Sequence, residues 1–157
     1  MEINRMRLDT PIGALYLEET GGAVTRITVE ALEPCGAGSP VLALAARELG
    51  EYFAGTRREF SFPIRPAGTA FQRAVWAALR DIPYGETRTY GEIAAAVGKP
   101  KASRAVGGAN HVNPLLIVTP CHRVIGANGS LTGFGAGIDR KAYLLELEHT
   151  QRLSGRR

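Results

Sequence analysis

Cysteine and histidine are scarce in this chain, with 2 Cys and 3 His among 157 residues. The two thiols, Cys35 and Cys121, form at most one disulfide and cannot fill a four-thiolate zinc site, which excludes disulfide scaffolds and metal fingers. His111 and His149 have no spacing that builds a site with the cysteines, so no metal is expected. Long apolar runs are missing too. The longest, such as Leu115 to Val118, fall far short of the roughly 20 residues that cross a bilayer. Met1 to Thr10 is polar and charged where the apolar core of a signal peptide would begin, so the expected compartment is the cytoplasm, with no membrane partner. What is present is ordinary: 45% hydrophobic and 22% charged residues suit a globular protein burying roughly 68–70% of its unfolded surface, in one domain or two small ones.

The net charge of +4 is unevenly placed. Met1 to Pro66 holds 7 Lys+Arg against 9 Asp+Glu, and Ala67 to Arg157 holds 12 against 6, giving −2 and +6. A basic half suits contact with a polyanion, since clustered Lys and Arg displace counterions from phosphates. A solvated basic face fits the same count.

The first half reads as α+β. Ile3 to Leu8, Ala14 to Glu19 and Ala23 to Val29 alternate apolar and polar residues between Pro11-Ile12-Gly13 and Gly21-Gly22, the pattern of a three-strand meander. Val41 to Phe53 places Leu42, Ala45, Ala46, Leu49 and Phe53 at helical spacing, and Phe60-Ser61-Phe62 is a candidate fourth strand. Pro63, Pro66 and Gly68 mark a linker where the charge balance changes, dividing the chain into 1–66 and 67–157.

Beyond the linker the pattern turns helical. Thr69 caps a stripe of Phe71, Val75, Trp76 and Leu79. Thr89 with Glu92 three residues on reads as a capping box for Tyr90 to Val97. Gly98-Lys99-Pro100 breaks that helix and Ser103 to Asn110 forms the next, so the pair reads as a helix-turn-helix with a three- or four-residue turn. Plain helix packing gives the same pattern. A last helix over about Asp139 to His149 is expected to turn Tyr143, Leu144 and Leu147 inward.

The most reactive pair in the sequence is Cys121-His122. A free thiol is only about 3 per cent thiolate at pH 7, so a nucleophilic cysteine needs a base or a positive field, and His122 and Arg123 supply both. Neighbours on an extended strand face opposite ways, so His122 must sit in a bend or act through water. Glu148 or Glu146 is available to orient the imidazole. The plainer reading is a buried cysteine beside a core histidine. Cys35, in a turn-rich loop without a nearby histidine, reads as incidental.

The segments YGETRTYGEIA, SRAVGGANHVNP, NPLLIVTPCHRV and GFGAGIDRKAYLLELE together resemble the O6-alkylguanine-DNA alkyltransferases, the methylated-DNA–protein-cysteine methyltransferases. The resemblance is strong from Phe71 to Glu148 and only an outline before that. It implies an α+β protein: a small ribonuclease-H-like sheet-plus-helix domain, then a mostly helical helix-turn-helix catalytic domain. It also implies a single-turnover transferase without cofactor, acting on double-stranded DNA that contains O6-alkylguanine. A monomer is implied, with cooperative assembly on DNA left open.

By position, Cys121 matches the alkyl acceptor, expected to be a low-pKa thiolate. His122 matches the histidine reaching it through a water, Glu148 the glutamate on that histidine, and Asn113 the asparagine bracing the preceding turn. Arg104 matches the finger that replaces a flipped nucleotide, and Tyr90 the tyrosine that rotates it and bonds guanine N3. Ala105, Gly107, Gly108 and Ala109 would permit close approach in the minor groove. Gly133 to Gly137 would form a lid, with Arg123, Val124, Phe134 and Gly135 in the base-binding set. Some relatives carry a hydroxyl side chain at Gly135 and a tyrosine at Phe134, which leaves open how O6 is hydrogen-bonded and how large an alkyl group fits. Lys141 matches a motif lysine read as structural. A lesion-flagging relative would lack the cysteine, and a cysteine hydrolase would turn over repeatedly without Arg104.

Overall fold

The computed structural model describes residues 2–131, 134 and 136–153. It divides into two compact units: Met1–Ala67 with Pro114–Leu116, and Gly68–Asn113 with Ile117–Arg157. No helix among the described residues is long and apolar enough to cross a membrane.

The first unit is built on β1 (Ile3–Thr10), β2 (Gly13–Thr20) and β3 (Ala23–Thr28), antiparallel in that order. Alternation turns Leu15, Leu17 and Glu19 of β2 inward. The buried Glu19 carboxylate is answered by the Asn4 carboxamide at 2.8 Å and the Gly22 amide at 2.7 Å. α1 (Pro40–Phe53) begins where Ser39 Oγ accepts from the Leu42 amide, with Pro40 in the first turn where a missing N–H costs nothing. It buries Leu42, Ala45, Leu49 and Tyr52, and also Glu48.

Glu48 explains why Phe60-Ser61-Phe62 is not a strand. Its carboxylate takes both the Ser61 amide, at 2.8 Å, and the Ser61 hydroxyl, so that backbone is no longer free to pair. Pairing shifts to Ile64, which makes a single parallel bridge to Val24. Pro114–Leu116 runs beside β3, with Ile27 N donating to Pro114 O at 2.8 Å and Leu116 N to Ile27 O at 3.1 Å.

The second unit holds α2 (Ala70–Arg80), β4 (Arg88–Thr89), α3 (Tyr90–Ala96), α4 (Ser103–His111), a 3-10 turn at Cys121–Arg123, β5 (Val124–Ile125) and α5 (Ile138–Leu153). α2 carries a full Thr69–Gln72 capping box and buries Val75, Trp76 and Leu79. β4 and β5 pair in parallel, Arg88 opposite Val124 and Thr89 opposite Ile125, a ladder too short for alternation to reveal. The connection between α3 and α4 runs from residue 97 to 102, longer than expected, because Ala102 N closes an extra turn on Lys99 O at 2.8 Å.

α5 departs from its expected face. Tyr143 is 40% exposed and Leu147 half-buried, while Lys141, Leu144 and Glu148 form the buried stripe. Two charged residues occupy inward positions because polar partners meet them there.

Candidate functional site

The segment that delivers Cys121 is shaped residue by residue. Ile117 holds φ at +73°, a left-handed value that is an outlier for a β-branched residue, and its side chain is buried. Three residues on, Pro120 has φ −81° and ψ 67°, and Cys121 N donates back to Thr119 O at 2.8 Å, an inverse γ-turn that suits the fixed φ of proline. Arg123 N then closes on Pro120 O at 2.9 Å, producing the 3-10 turn. That turn supplies the bend the adjacent Cys121 and His122 require.

Asn113, just after α4, reaches across this segment. Its Nδ2 donates to Thr119 O at 2.7 Å and lies 3.1 Å from Cys121 Sγ. Asn110, the penultimate residue of α4, donates from Nδ2 to the Cys121 carbonyl at 3.3 Å. Cys121 is 1% exposed, and burial pushes its thiol up to about 11, with the Asn113 bond and the Lys141 ammonium acting in the opposite sense. The resting group is therefore a protonated thiol, not the low-pKa thiolate expected.

His122 is fully buried, and its Nε2 lies 2.7 Å from Glu148 Oε2. Glu148 also accepts from Arg123 Nε at 2.8 Å, Arg123 Nη2 at 3.0 Å and the Gly85 amide at 3.2 Å. Burial opposes ionisation of that carboxyl, but His122 and Arg123 outweigh it and hold it well below the usual carboxylate range. An ionised acceptor there fixes the Nε2 proton on the imidazole, leaving Nδ1 as a lone pair. Burial lowers the His122 pKa, so the ring is neutral, and Nδ1 has no protein partner among the described residues. Gly85 sits at φ +81°, where a Cβ would lie 2.8 Å from Arg152 Cδ, so glycine alone brings that amide to Glu148. Of the two candidate carboxylates, Glu146 is exposed and takes the Thr150 hydroxyl at 3.1 Å.

Arg123 is placed differently from expectation. It is buried, forks onto Glu148, donates from Nη1 to Ile82 O at 2.8 Å and lies over the Tyr84 ring at 5.6 Å. A guanidinium so engaged holds the glutamate and does not reach a base. Lys141, also fully buried, donates to the Val124 carbonyl at 2.5 Å. Val124 and Phe134 are buried. Gly133 and Gly135 lie outside the described residues.

The helix pair presents a second face. Thr89 and Glu92 form the capping box, and Tyr90 opens α3, half-buried, its ring 3.9 Å from where a Gly107 Cβ would stand. On α4 the side chains of Val106, Ala109 and Asn110 go inward, while Arg104, Ala105 and Gly108 are exposed. A Cβ on Gly108 would meet nothing within 4 Å, so no helix contact requires a glycine there. Trp76 Nε1 donates to Ala109 O at 2.9 Å and pins the inner face. Asn113 with Cys121 and His122 with Glu148 thus form two hydrogen-bonded pairs, brought together by the adjacency of Cys121 and His122, whereas Arg104 stands apart on the outer face. Reasoning from sequence missed Asn110 and the glutamate-holding role of Arg123. The signal that could have revealed the former is its spacing three residues before Asn113, at the close of α4. Cys35, exposed, lies in the first unit, its Sγ 3.6 Å from Ile3 O.

Residues 70–150 match the family described as "6-O-methylguanine DNA methyltransferase, DNA binding domain". The chain is 49% identical over 153 residues to a methylated-DNA–protein-cysteine methyltransferase of Mycobacterium leprae, covering 94% of this chain and 93% of that protein. It is 48% identical to the constitutive methylated-DNA–protein-cysteine methyltransferase of Bacillus subtilis, covering 89% and 92%. Among solved structures, it is similar to Mycobacterium tuberculosis OGT in complex with DNA, with a TM-score of 0.84, 48% identity and coverage of 94% and 93%.

Proposed function

Because the chain belongs to the methylated-DNA–protein-cysteine methyltransferase family, we propose that it repairs DNA directly, moving the alkyl group of O6-alkylguanine once and irreversibly onto Cys121. The observation that carries this reading is the Asn113–Cys121 contact at 3.1 Å in the same unit as the His122–Glu148 pair at 2.7 Å. A protonated buried thiol is a poor nucleophile, so the proton has to leave as the substrate arrives. Nδ1 of the neutral His122 is the acceptor available, and Glu148 stabilises the imidazolium that forms. Sulfur then attacks the alkyl carbon, a C–S bond forms, the C–O6 bond breaks, and its electron pair stays on the guanine. The purine takes up a proton, leaving guanine and a thioether. The Asn113 amide and the buried Lys141 ammonium lower the energy of the thiolate on the way.

An alkyl carbon inside a duplex offers no in-line path to a buried thiol, so the damaged nucleotide must turn out of the stack. The exposed face of α4 suits that task. Arg104 would enter the stack in its place, Ala105 and Gly107 would allow close approach in the minor groove, and Tyr90 would bond the purine. Val124, Phe134 and Gly135 would line the base pocket. Chemistry and DNA contact belong to residues 67–157, with residues 1–66 in a supporting role and the cytoplasm as the site of action.

The test is mass spectrometry after incubation with duplex DNA containing O6-methylguanine. A gain of one methyl in place of hydrogen, about 14 Da, is expected on the Cys121 peptide at no more than one equivalent. Repeated turnover, or modification of Cys35 instead, overturns the reading.

A further inference from the structure

We propose that Asn110 is a positioning residue for the transfer, holding the backbone of Cys121 while Asn113 holds its sulfur. Displacement at carbon demands that sulfur approach along the extension of the breaking bond, so both the peptide and the rotamer of the nucleophile have to be fixed. The structure divides these tasks between two carboxamides, one in the last turn of α4 and one two residues beyond its end. Asn110 Nδ2 meets the Cys121 carbonyl at 3.3 Å and Asn113 Nδ2 meets Sγ at 3.1 Å.

Packing does not account for Asn110. The side chain is fully buried, yet its Oδ1 has no partner among the described residues. A leucine fills nearly the same shape without leaving an unpaired acceptor behind, so an asparagine retained for volume alone would be the worse choice. Its donor half is what the site uses. α4 is held from within by the Trp76–Ala109 bond at 2.9 Å, and the same helix exposes Arg104. The aim of Cys121 and the surface offered to DNA are therefore set by one rigid element.

The inference rests on Cys121 being the acceptor, and the experiment separates the two. The native protein is first shown to take the methyl from duplex DNA onto Cys121; if it does not, the functional reading fails before Asn110 is tested. Asn110→Leu is then compared in single-turnover assays at saturating DNA. The transfer rate is expected to fall about tenfold, the kinetic equivalent of one lost hydrogen bond, while the DNA concentration for half-maximal rate and the Tm stay level or the Tm rises. A rate within twofold of native, or a rate loss matched by weaker DNA binding or lower Tm, overturns the proposal. Asn110→Asp guards against a leucine variant that does not fold. It keeps the shape, loses the donor and places a carboxylate beside the forming thiolate, so its rate relative to native should fall as pH rises from 5 to 8. A ratio independent of pH overturns the proposal equally.

Discussion

Arg123 follows Cys121 by two positions, and the family resemblance places it in the base-binding set. Its surroundings place it elsewhere. With Glu148 at 2.8 and 3.0 Å, the Ile82 carbonyl at 2.8 Å and the Tyr84 ring beneath it, the guanidinium satisfies a buried carboxylate that the neutral His122 cannot neutralise. Removing one partner of a buried pair strands the other charge, which costs about 3–5 kcal/mol. Arg123→Leu is accordingly expected to lower unfolding stability by about that amount in urea titrations, while DNA affinity of the folded fraction stays within roughly twofold. A large loss of affinity with stability intact would return Arg123 to the DNA surface. Cys121 teaches the complementary lesson: adjacency to a histidine and an arginine suggests a thiolate, but burial outweighs the Asn113 hydrogen bond and the Lys141 cation and keeps the proton on sulfur.

Among the elements, α4 is the one whose two faces serve different ends, inward to Trp76 and Cys121, outward through Arg104, Ala105 and Gly108. Glycine in the interior of a helix is less favourable than alanine by roughly 0.5–1 kcal/mol, and at Gly108 open space surrounds the missing methyl. Gly108→Ala should therefore raise stability by about that amount in thermal or urea unfolding, and weaken binding to duplex DNA if this face enters a groove. Equal or tighter DNA binding would remove α4 from the interface. The helices themselves were legible in the sequence because their caps are local: Thr69 with Gln72 and Thr89 with Glu92 announce starts within four residues. Cys121 and His122 stood out in the sequence as an adjacent pair, and Glu148 as one of two carboxylates within reach of that histidine, of which the structure pairs Glu148 with it. The β4–β5 ladder was not, since two residues per strand carry no period. Nor was the inward turn of Lys141 on α5, because hydrophobic patterning assigns charges to solvent and only a tertiary partner, Val124 O, reverses that. The absent strand at Phe60 to Phe62 has the same origin: a buried carboxylate from another element claimed the backbone.

Over the whole molecule, both units bury carboxylates that are held below their ordinary pKa by specific partners. In the first unit, burial opposes ionisation of Glu48, but the Ser61 hydroxyl and amide and the Arg57 cation prevail. Glu19 is lowered by the Gly22 amide and the Asn4 carboxamide. In the second unit Glu148 is lowered by His122 and Arg123. A carboxyl with a depressed folded-state pKa binds its proton more readily unfolded, so each contributes stability that is complete above the unfolded value, near 4.3, and lost as pH falls below it. His122 acts in the same direction: its lowered pKa means the buried neutral ring resists the charge that acid would impose, so stability falls once pH drops below the ordinary imidazole range. Neither unit is therefore spared on acidification. Thermal unfolding followed by circular dichroism should show Tm level between pH 8 and 7, declining below pH 6.5 as His122 is challenged, and falling by roughly 10 °C or more between pH 5 and 3.5. Glu148→Gln removes the strongest of these anions. It should lower Tm at pH 7 and flatten the acid limb, and a variant as acid-sensitive as the native chain would mean that Glu148 is not what the proton attacks.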